Sequence, residues 1–239
     1  MSSLAKNLFR ELTVSCGDCS LGELCIPHGL AQQDIDKLDD SVSHTKLLHA
    51  GDNLYHQDTP FKSLYALKSG SVKIISKNEE GGDDIMGVYL PGEIIGFDGV
   101  ATDQYQCSIH ALETSNVCEI DLDSLQKNIP NIFKQLLKHA SKSINQSNNT
   151  NTVSKASAER RIVSLLLDLS DRYRLRGYFY TEFNLFLSRS EIGSLLNLSP
   201  ETVSRGIRKL ERDKLISLQN NRRIKINNLD GLRSLISVV

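Results

Sequence analysis

Two helix-start signals set close together near the C-terminal end restrict this 239-residue chain more than any other feature. Ser188-Arg-Ser-Glu191 has the form of a capping box, in which the serine hydroxyl accepts from the Glu191 backbone N–H and the Glu191 carboxylate accepts from that of Ser188. Ser199-Pro200 is the second start, an N-cap serine followed by proline at the first helical position. Asn197 lies between them as a turn residue, so two short helices joined by a tight turn are expected. On the second helix Val203, Ile207 and Leu210 recur at i, i+4 and i+7 as the inward face, which leaves Glu201, Ser204, Arg205 and Arg208 pointing outward. Arginine can donate two hydrogen bonds to guanine, glutamate can accept from a cytosine amino group, and serine adapts to either. Ser217 to Ile226 reads as a hairpin with Asn220 and Asn221 at its tip and Arg222, Arg223 and Lys225 behind it. A winged helix-turn-helix is therefore expected.

Charge points the same way. Residues 1–127 carry 9 Lys and Arg against 20 Asp and Glu, net −11, whereas residues 128–239 carry 19 against 9, net +10. Phosphate contacts need cations clustered on one surface, so a polyanion is the expected partner of the basic half. Two solvated surfaces of opposite sign attracting each other is the plainer reading, but it does not explain the helix pair, with which double-stranded DNA is the expected partner. The length suits two modest domains, and a chain that is 39% hydrophobic and 24% charged has ordinary globular composition. Apolar runs such as that from Ile162 to Leu169 are broken by Ser164 and Asp168, so no membrane span is expected. The first residues have neither a signal-peptide core nor a cleavage site, and a cytoplasmic location follows as an expectation.

From about Thr45 to Asp123 short apolar runs alternate with glycines: Leu64 to Leu67, Val72 to Ile75, Ile85 to Leu90, Glu93 to Phe97, Cys107 to Leu112 and Val117 to Ile120. This texture predicts an antiparallel roll or barrel. Ahead of it, Ala31 to Asp40 spaces Ile35 and Leu38 as a short helix does. Pro130 suits the first turn of a long helix over Asn131 to about Ser154, whose apolar face starts with Phe133, Leu137, Ala140 and Ile144. The seam then passes into Ser147, Asn151 and Ser154, within the polar tract from Asn145 to Thr152. It is either a solvated connector or a dimer seam that is weakly apolar in its second half. Ser157 to Arg176 is a further helix stopped by Gly177, and Glu182 to Leu187 reads as a strand.

Cys16, Cys19 and Cys25 lie in Cys-Gly-Asp-Cys-Ser-Leu-Gly-Glu-Leu-Cys, a loop-like segment that can turn three thiols on one metal centre. In a reducing compartment such a cluster reads as metal or redox chemistry before disulfides. A fourth ligand must come from elsewhere. Spacing alone does not choose between Cys107 and Cys118, nor between iron–sulfur chemistry and a three-cysteine zinc site completed by His28.

Cysteine cluster, glycine-punctuated roll, long helix and winged helix-turn-helix, in that order, resemble the cyclic-AMP receptor and FNR superfamily of bacterial transcription regulators, and most closely its FNR branch. The resemblance covers nearly the whole chain. It is carried by Cys16-x2-Cys19-x5-Cys25-Ile-Pro, Leu64-Tyr-Ala-Leu-Lys-Ser-Gly70, Gly96-Phe-Asp98, Ala111-Leu-Glu-Thr-Ser-Asn-Val-Cys118-Glu-Ile120 and Glu201-x2-Ser204-Arg205. It implies an α+β fold: an N-terminal antiparallel β-roll of the cyclic-nucleotide-binding, jelly-roll type, a long dimerisation helix and a C-terminal winged helix-turn-helix. The implied segments are 1–30 for cluster binding, 31–127 for the sensory roll, 128–156 for the connecting helix and 157–239 for DNA binding. It implies an oxygen-labile [4Fe-4S] cluster held by Cys16, Cys19, Cys25 and Cys118, with Cys107 packed in the roll. It also implies base contacts from Glu201, Ser204 and Arg205, a homodimer on palindromic TTGAT-like half-sites, and contact with RNA polymerase, for which the acidic loop from Asn78 to Asp84 is a candidate surface beside its plainer role as a hairpin turn. Gly206 inside the recognition helix departs from helix propensity, and close packing on the preceding helix is one reason for it.

Two other function classes find less support in the sequence. A cyclic-nucleotide pocket needs a cation for the phosphate, yet no Lys or Arg lies between Lys77 and Lys127. No Ser/His/Asp or Cys/His catalytic arrangement, phosphate loop or paired acid/base carboxylates stand out, so an enzyme is not expected.

Overall fold

Leu64-Tyr-Ala-Leu67 is apolar at four successive positions, and a strand with that pattern needs cover on both faces. A computed structural model of the chain provides it. The structure describes residues 15–78, 81–129, 132–153, 156–220 and 222–236, with the backbone alone at 43–45 and 146–153. Pro130, Asn131, Ser154 and Asn221, the first 14 residues, and Glu79 and Glu80 in the acidic loop lie outside the described residues.

The roll has eight strands: β1 (Val42–Leu48), β2 (Asn53–Tyr55), β3 (Leu64–Ser69), β4 (Val72–Lys77), β5 (Asp83–Tyr89), β6 (Ile94–Ile95), β7 (Ser108–Ala111) and β8 (Ser115–Ile120). They form two separate four-stranded sheets, β1-β8-β3-β6 and β2-β7-β4-β5, and not a closed barrel. Because side chains alternate along a strand, the first sheet has two working faces. Tyr65, Leu67, Ile95 and Val117 point between the sheets and join Leu54, Tyr55, Val72, Tyr105 and Ile109 in one core. Leu64, Ala66, Ile94 and Ile120 point the other way and meet Ile26, Leu38, Leu125, Ile129, Ile132 and Leu136 in a second core. β3 pairs with β8 through Ala66 opposite Cys118 and Leu67 opposite Val117.

That second core is roofed by helices α1 (Gln32–Ser41), α2 (Leu122–Asn128) and the start of α3 (Ile132–Val153). α1 and α3 fall where periodicity puts them. The sequence reading passes over β2 and α2, although Asp121 caps α2 by accepting from the N–H groups of Asp123 and Ser124.

The chain divides into two compact units, residues 1–74 with 88–143 and residues 75–87 with 144–239. The second contains α4 (Ala158–Leu175), β9 (Glu182–Asn184), α5 (Arg189–Leu196), α6 (Pro200–Arg212), β10 (Ile216–Gln219), β11 (Arg223–Ile226) and α7 (Leu229–Ile236). β9 is shorter than the expected strand and completes a three-stranded sheet in the order β10-β11-β9. α4 packs against α6 and α7, burying Ile162, Leu166, Val203, Ile207, Leu210 and Leu232. No described helix is long and apolar enough to cross a membrane.

Candidate cysteine cavity and nucleic-acid interface

The segment from Ser15 to Leu30 winds inward as a series of tight turns. Gly22 donates to the Cys19 carbonyl, Leu24 and Cys25 both to that of Leu21, and Leu30 to that of Pro27, at 2.9 to 3.0 Å. Leu21 and Ile26, at 7% and 1% exposure, anchor it to the outer face of the first sheet. From α1, Asp39 accepts from the Cys16 N–H at 2.7 Å. On the other side Leu24 crosses the turn after β5 so closely that a Cβ on Gly92, at φ +88, would stand 2.7 Å from the Leu24 Cβ.

The outcome is an apolar cavity of about 40 Å³ onto which Cys16, Cys19, Cys25 and Cys118 all open, with Leu38, Val42, Ala66 and Ile120 also in its lining. Lys68 is the one charged residue among those lining it. Burial pushes the Cys25 thiol up to about 12. It raises Cys16 further, helped by the Asp39 carboxylate, and raises Cys118 against the opposing charge of Lys68. Protonated thiols are poor ligands, so any metal held here must displace their protons.

Donor chemistry tests what fits. Among the described residues no group of three or more His, Cys, Asp or Glu side chains is arranged to hold a single metal ion. A cubane cluster distributes four thiolates over four irons, and its ligands stand further apart than those of one ion. Four thiols around one apolar space suit that demand. His28, the alternative fourth ligand, is exposed and its Nδ1 stands 2.8 Å from Glu23 Oε2. Cys107 belongs to the other core, where its Sγ donates to Asp98 Oδ2 at 3.2 Å. It sits on the bend before β7, not in the strand itself.

α3 runs past this segment with two distinct faces. Ile132, Gln135, Leu136 and His139 are buried, whereas Phe133, Leu137 and Ile144, the seam read from the sequence, are 49%, 68% and 59% exposed. The buried stripe was missed because glutamine and histidine count as polar in a periodicity search. Burial, then the charge of Lys142, lowers the His139 pKa to about 4.

In the second unit both helix starts form as read. Ser188 and Glu191 exchange the two bonds of a capping box at 2.7 and 3.2 Å, and Asn197 turns the chain at φ 52. Ser199 accepts from the Thr202 N–H with Pro200 next in the chain. On α6 Glu201, Arg205 and Arg208 are exposed and Ser204 is half-buried, opposite the buried Val203, Ile207 and Leu210. Arg205 Nη2 donates to Thr202 Oγ1 at 3.2 Å. The wing carries exposed Arg222, Arg223 and Lys225, with Arg223 Nε 2.7 Å from Glu182 Oε1. Gly206 is explained by close approach, but to Ile162 of α4 and not to the preceding helix.

Fold and helix pair together define a helix-turn-helix regulator of transcription built on a roll of the cyclic-nucleotide-binding type. Residues 160–235 match the Crp-like helix-turn-helix domain and residues 45–129 the cyclic nucleotide-binding domain. The transcriptional activator protein anr of Pseudomonas aeruginosa is 39% identical over 208 residues, covering 85% of each chain. The fumarate and nitrate reduction regulatory protein of Yersinia pestis is 35% identical, covering 93% of this chain and 90% of its own. Among solved structures, FixK2 from Bradyrhizobium japonicum superposes with a TM-score of 0.73 at 20% identity over 83% of this chain and 98% of its own. The chain belongs to the CRP/FNR family of transcription regulators.

Proposed function

We propose that this chain is an oxygen-responsive transcription regulator that binds palindromic TTGAT-like DNA sites as a homodimer while an oxygen-labile [4Fe-4S] cluster is intact. The observation that carries this reading is the convergence of Cys16, Cys19, Cys25 and Cys118 on one apolar cavity. In this reading residues 1–30 bind the cluster, 31–127 form the sensory roll, 128–156 the pairing helix and 157–239 the DNA-binding domain. Bound there, the cluster supplies an oxygen-sensitive link between the N-terminal segment and β8.

The chain's own residues do the rest. The four cysteines give up protons and hold the segment against the sheet. Phe133, Leu137 and Ile144 offer the apolar face on which a second copy of α3 can lie. Two α6 helices then enter successive major grooves, where Arg205 and Arg208 can donate to guanine, Glu201 can accept from cytosine, and Ser204 adapts to its neighbour. Cations of the wing hold phosphate. Contact with RNA polymerase belongs to the same proposal.

Anaerobic purification followed by iron and sulfide analysis tests it. About four of each per chain is the expected result; a colourless protein holding one zinc would sink the cluster reading while leaving DNA binding standing. The cyclic-nucleotide alternative gains no support from the roll. Its inter-sheet core is occupied by Tyr55 and Tyr105, stacked at 3.7 Å, and Glu93, after Gly92, turns its carboxylate back to accept from the Leu90 N–H at 2.9 Å.

A further inference from the structure

Three residues at the start of α4 grip the helix pair. Glu159 Oε2 accepts from Lys209 Nζ of α6 at 2.6 Å. Ile162 is 1% exposed and lies so close to Gly206 of α6 that a Cβ there would collide with its Cδ1. Between them in sequence Arg161, half-buried, sends one guanidinium in two directions. Its Nη1 donates to the carbonyls of Leu196 at 2.9 Å and Asn197 at 3.2 Å, and its Nε donates to that of Ala156 at 2.9 Å. A helix leaves its last carbonyls without intrahelical partners, and a cation is favoured at that terminus. In α5 the left-handed turn at Asn197 serves Gly193 and Ser194, whose carbonyls accept from the Asn197 N–H. The carbonyls of Leu196 and Asn197 are taken by Arg161, which stands 35 positions or more earlier in the chain.

The other anchor, Ala156, precedes the Ser157 N-cap of α4, on the side from which the chain arrives from α3. A guanidinium is a planar fork with fixed donor directions, so it joins these two places with little play. A helix seated at its body by Ile162 and Glu159 can still pivot about that seat; holding the turn ahead of it removes this freedom. The geometry points to Arg161 as a positioning residue for DNA reading, which fixes the turn between α5 and α6 against the entry to α4 and so sets the angle at which Glu201, Ser204 and Arg205 are presented. The inference rests on the reading of α6 as the helix that contacts bases, and it adds a residue outside the helix pair on which sequence discrimination depends. Arg161 touches no base; it acts through Leu196 and Asn197.

The test uses the full chain, reconstituted anaerobically with ferrous iron and sulfide, on a duplex carrying the TTGAT-like palindrome and on a random duplex of equal length. Arg161→Met keeps the stem and removes every donor, whereas Arg161→Lys keeps the charge without the fork. Arg161→Met should bind the palindrome about tenfold more weakly, the scale of a charged hydrogen-bonding group lost. Its binding to the random duplex, and its salt slope on both, should match wild type because no phosphate contact is removed. Arg161→Lys should lose discrimination as well, since an ammonium is a point charge; it carries the same readouts if Arg161→Met does not fold. In the DNA-free protein the amides of Asn197 and Leu198 should exchange faster in both variants while those of Val203 to Leu210 keep their protection. Equal losses on the two duplexes, with a slope shallower by about 0.9, would make Arg161 a phosphate contact and overturn the inference. Wild-type discrimination in either variant would overturn it too. Failure of the underlying reading looks different: wild type itself does not prefer the palindrome. Exchange in the DNA-free chain then decides, and wild-type protection of Asn197 and Leu198 in the variants would overturn the hold on the turn.

Discussion

Cys107 and Cys118 carry the same thiol into two different cores. Replacing Cys118 by alanine should lower iron and sulfide in the anaerobically reconstituted protein, whereas Cys107→Ala should leave both at wild-type levels; equal losses would place Cys107 among the ligands. Nothing in the spacing separates the two. The strand that holds Cys118, Ser-Asn-Val-Cys-Glu-Ile, carries polar and apolar residues on both faces, so alternation does not tell Val117 from Cys118, and only the pairing of β8 with β3 assigns them. At the other end of the chain, Arg205→Ala should weaken cognate DNA about 10- to 100-fold, the worth of a good bidentate base contact. Binding to random DNA should change little, and equal loss on both would mean that Arg205 holds phosphate. The exposure of Arg205 was legible because one helical face is buried by Val203, Ile207 and Leu210, which fixes what the opposite face presents.

Elements were read best where a local chemical signal starts or stops them. The capping box at Ser188, the Ser199-Pro200 start and Gly177 after α4 each satisfy backbone groups with neighbours a few residues away, so pattern alone finds them. Elements held by distant partners were missed or misjudged, such as the short β2, the truncated β9 and the buried stripe of α3. The glycines of the helix pair make the same point. A Cβ on Gly193 would lie 2.5 Å from the Leu198 carbonyl oxygen, which belongs to the turn itself and cannot swing away. Gly193→Ala should therefore lower the unfolding temperature of the protein, with overpacking of about 1 to 3 kcal/mol exceeding the roughly 1 kcal/mol of helix propensity gained. A rise in melting temperature would show that the turn relaxes. Ser188→Ala should cost about 1 kcal/mol, the usual worth of an N-cap, with no change in iron content.

For the whole molecule, the division of charge into −11 and +10 predicts where salt acts. DNA affinity should fall linearly in log–log against salt, with a slope of about −0.9 for each phosphate neutralised. Leu137→Glu offers the complementary test. At 68% exposure the substitution should leave folding intact, yet a charge facing its own copy should shift the loaded protein from dimer to monomer in sedimentation and abolish binding to a palindrome before binding to a half-site. A variant that remains dimeric would move the pairing surface away from α3.

The first sheet of the roll has a mechanical consequence. Packed on one side by a stack of tyrosines and on the other by the cysteine segment, it behaves as an anvil, because close-packed interiors scarcely compress and pass strain on. A push delivered by the thiol side cannot be absorbed into the sheet. The start of the long helix packs on the same core through Ile132 and Leu136, and it is the neighbouring element whose outer face, at Phe133 and Leu137, is exposed.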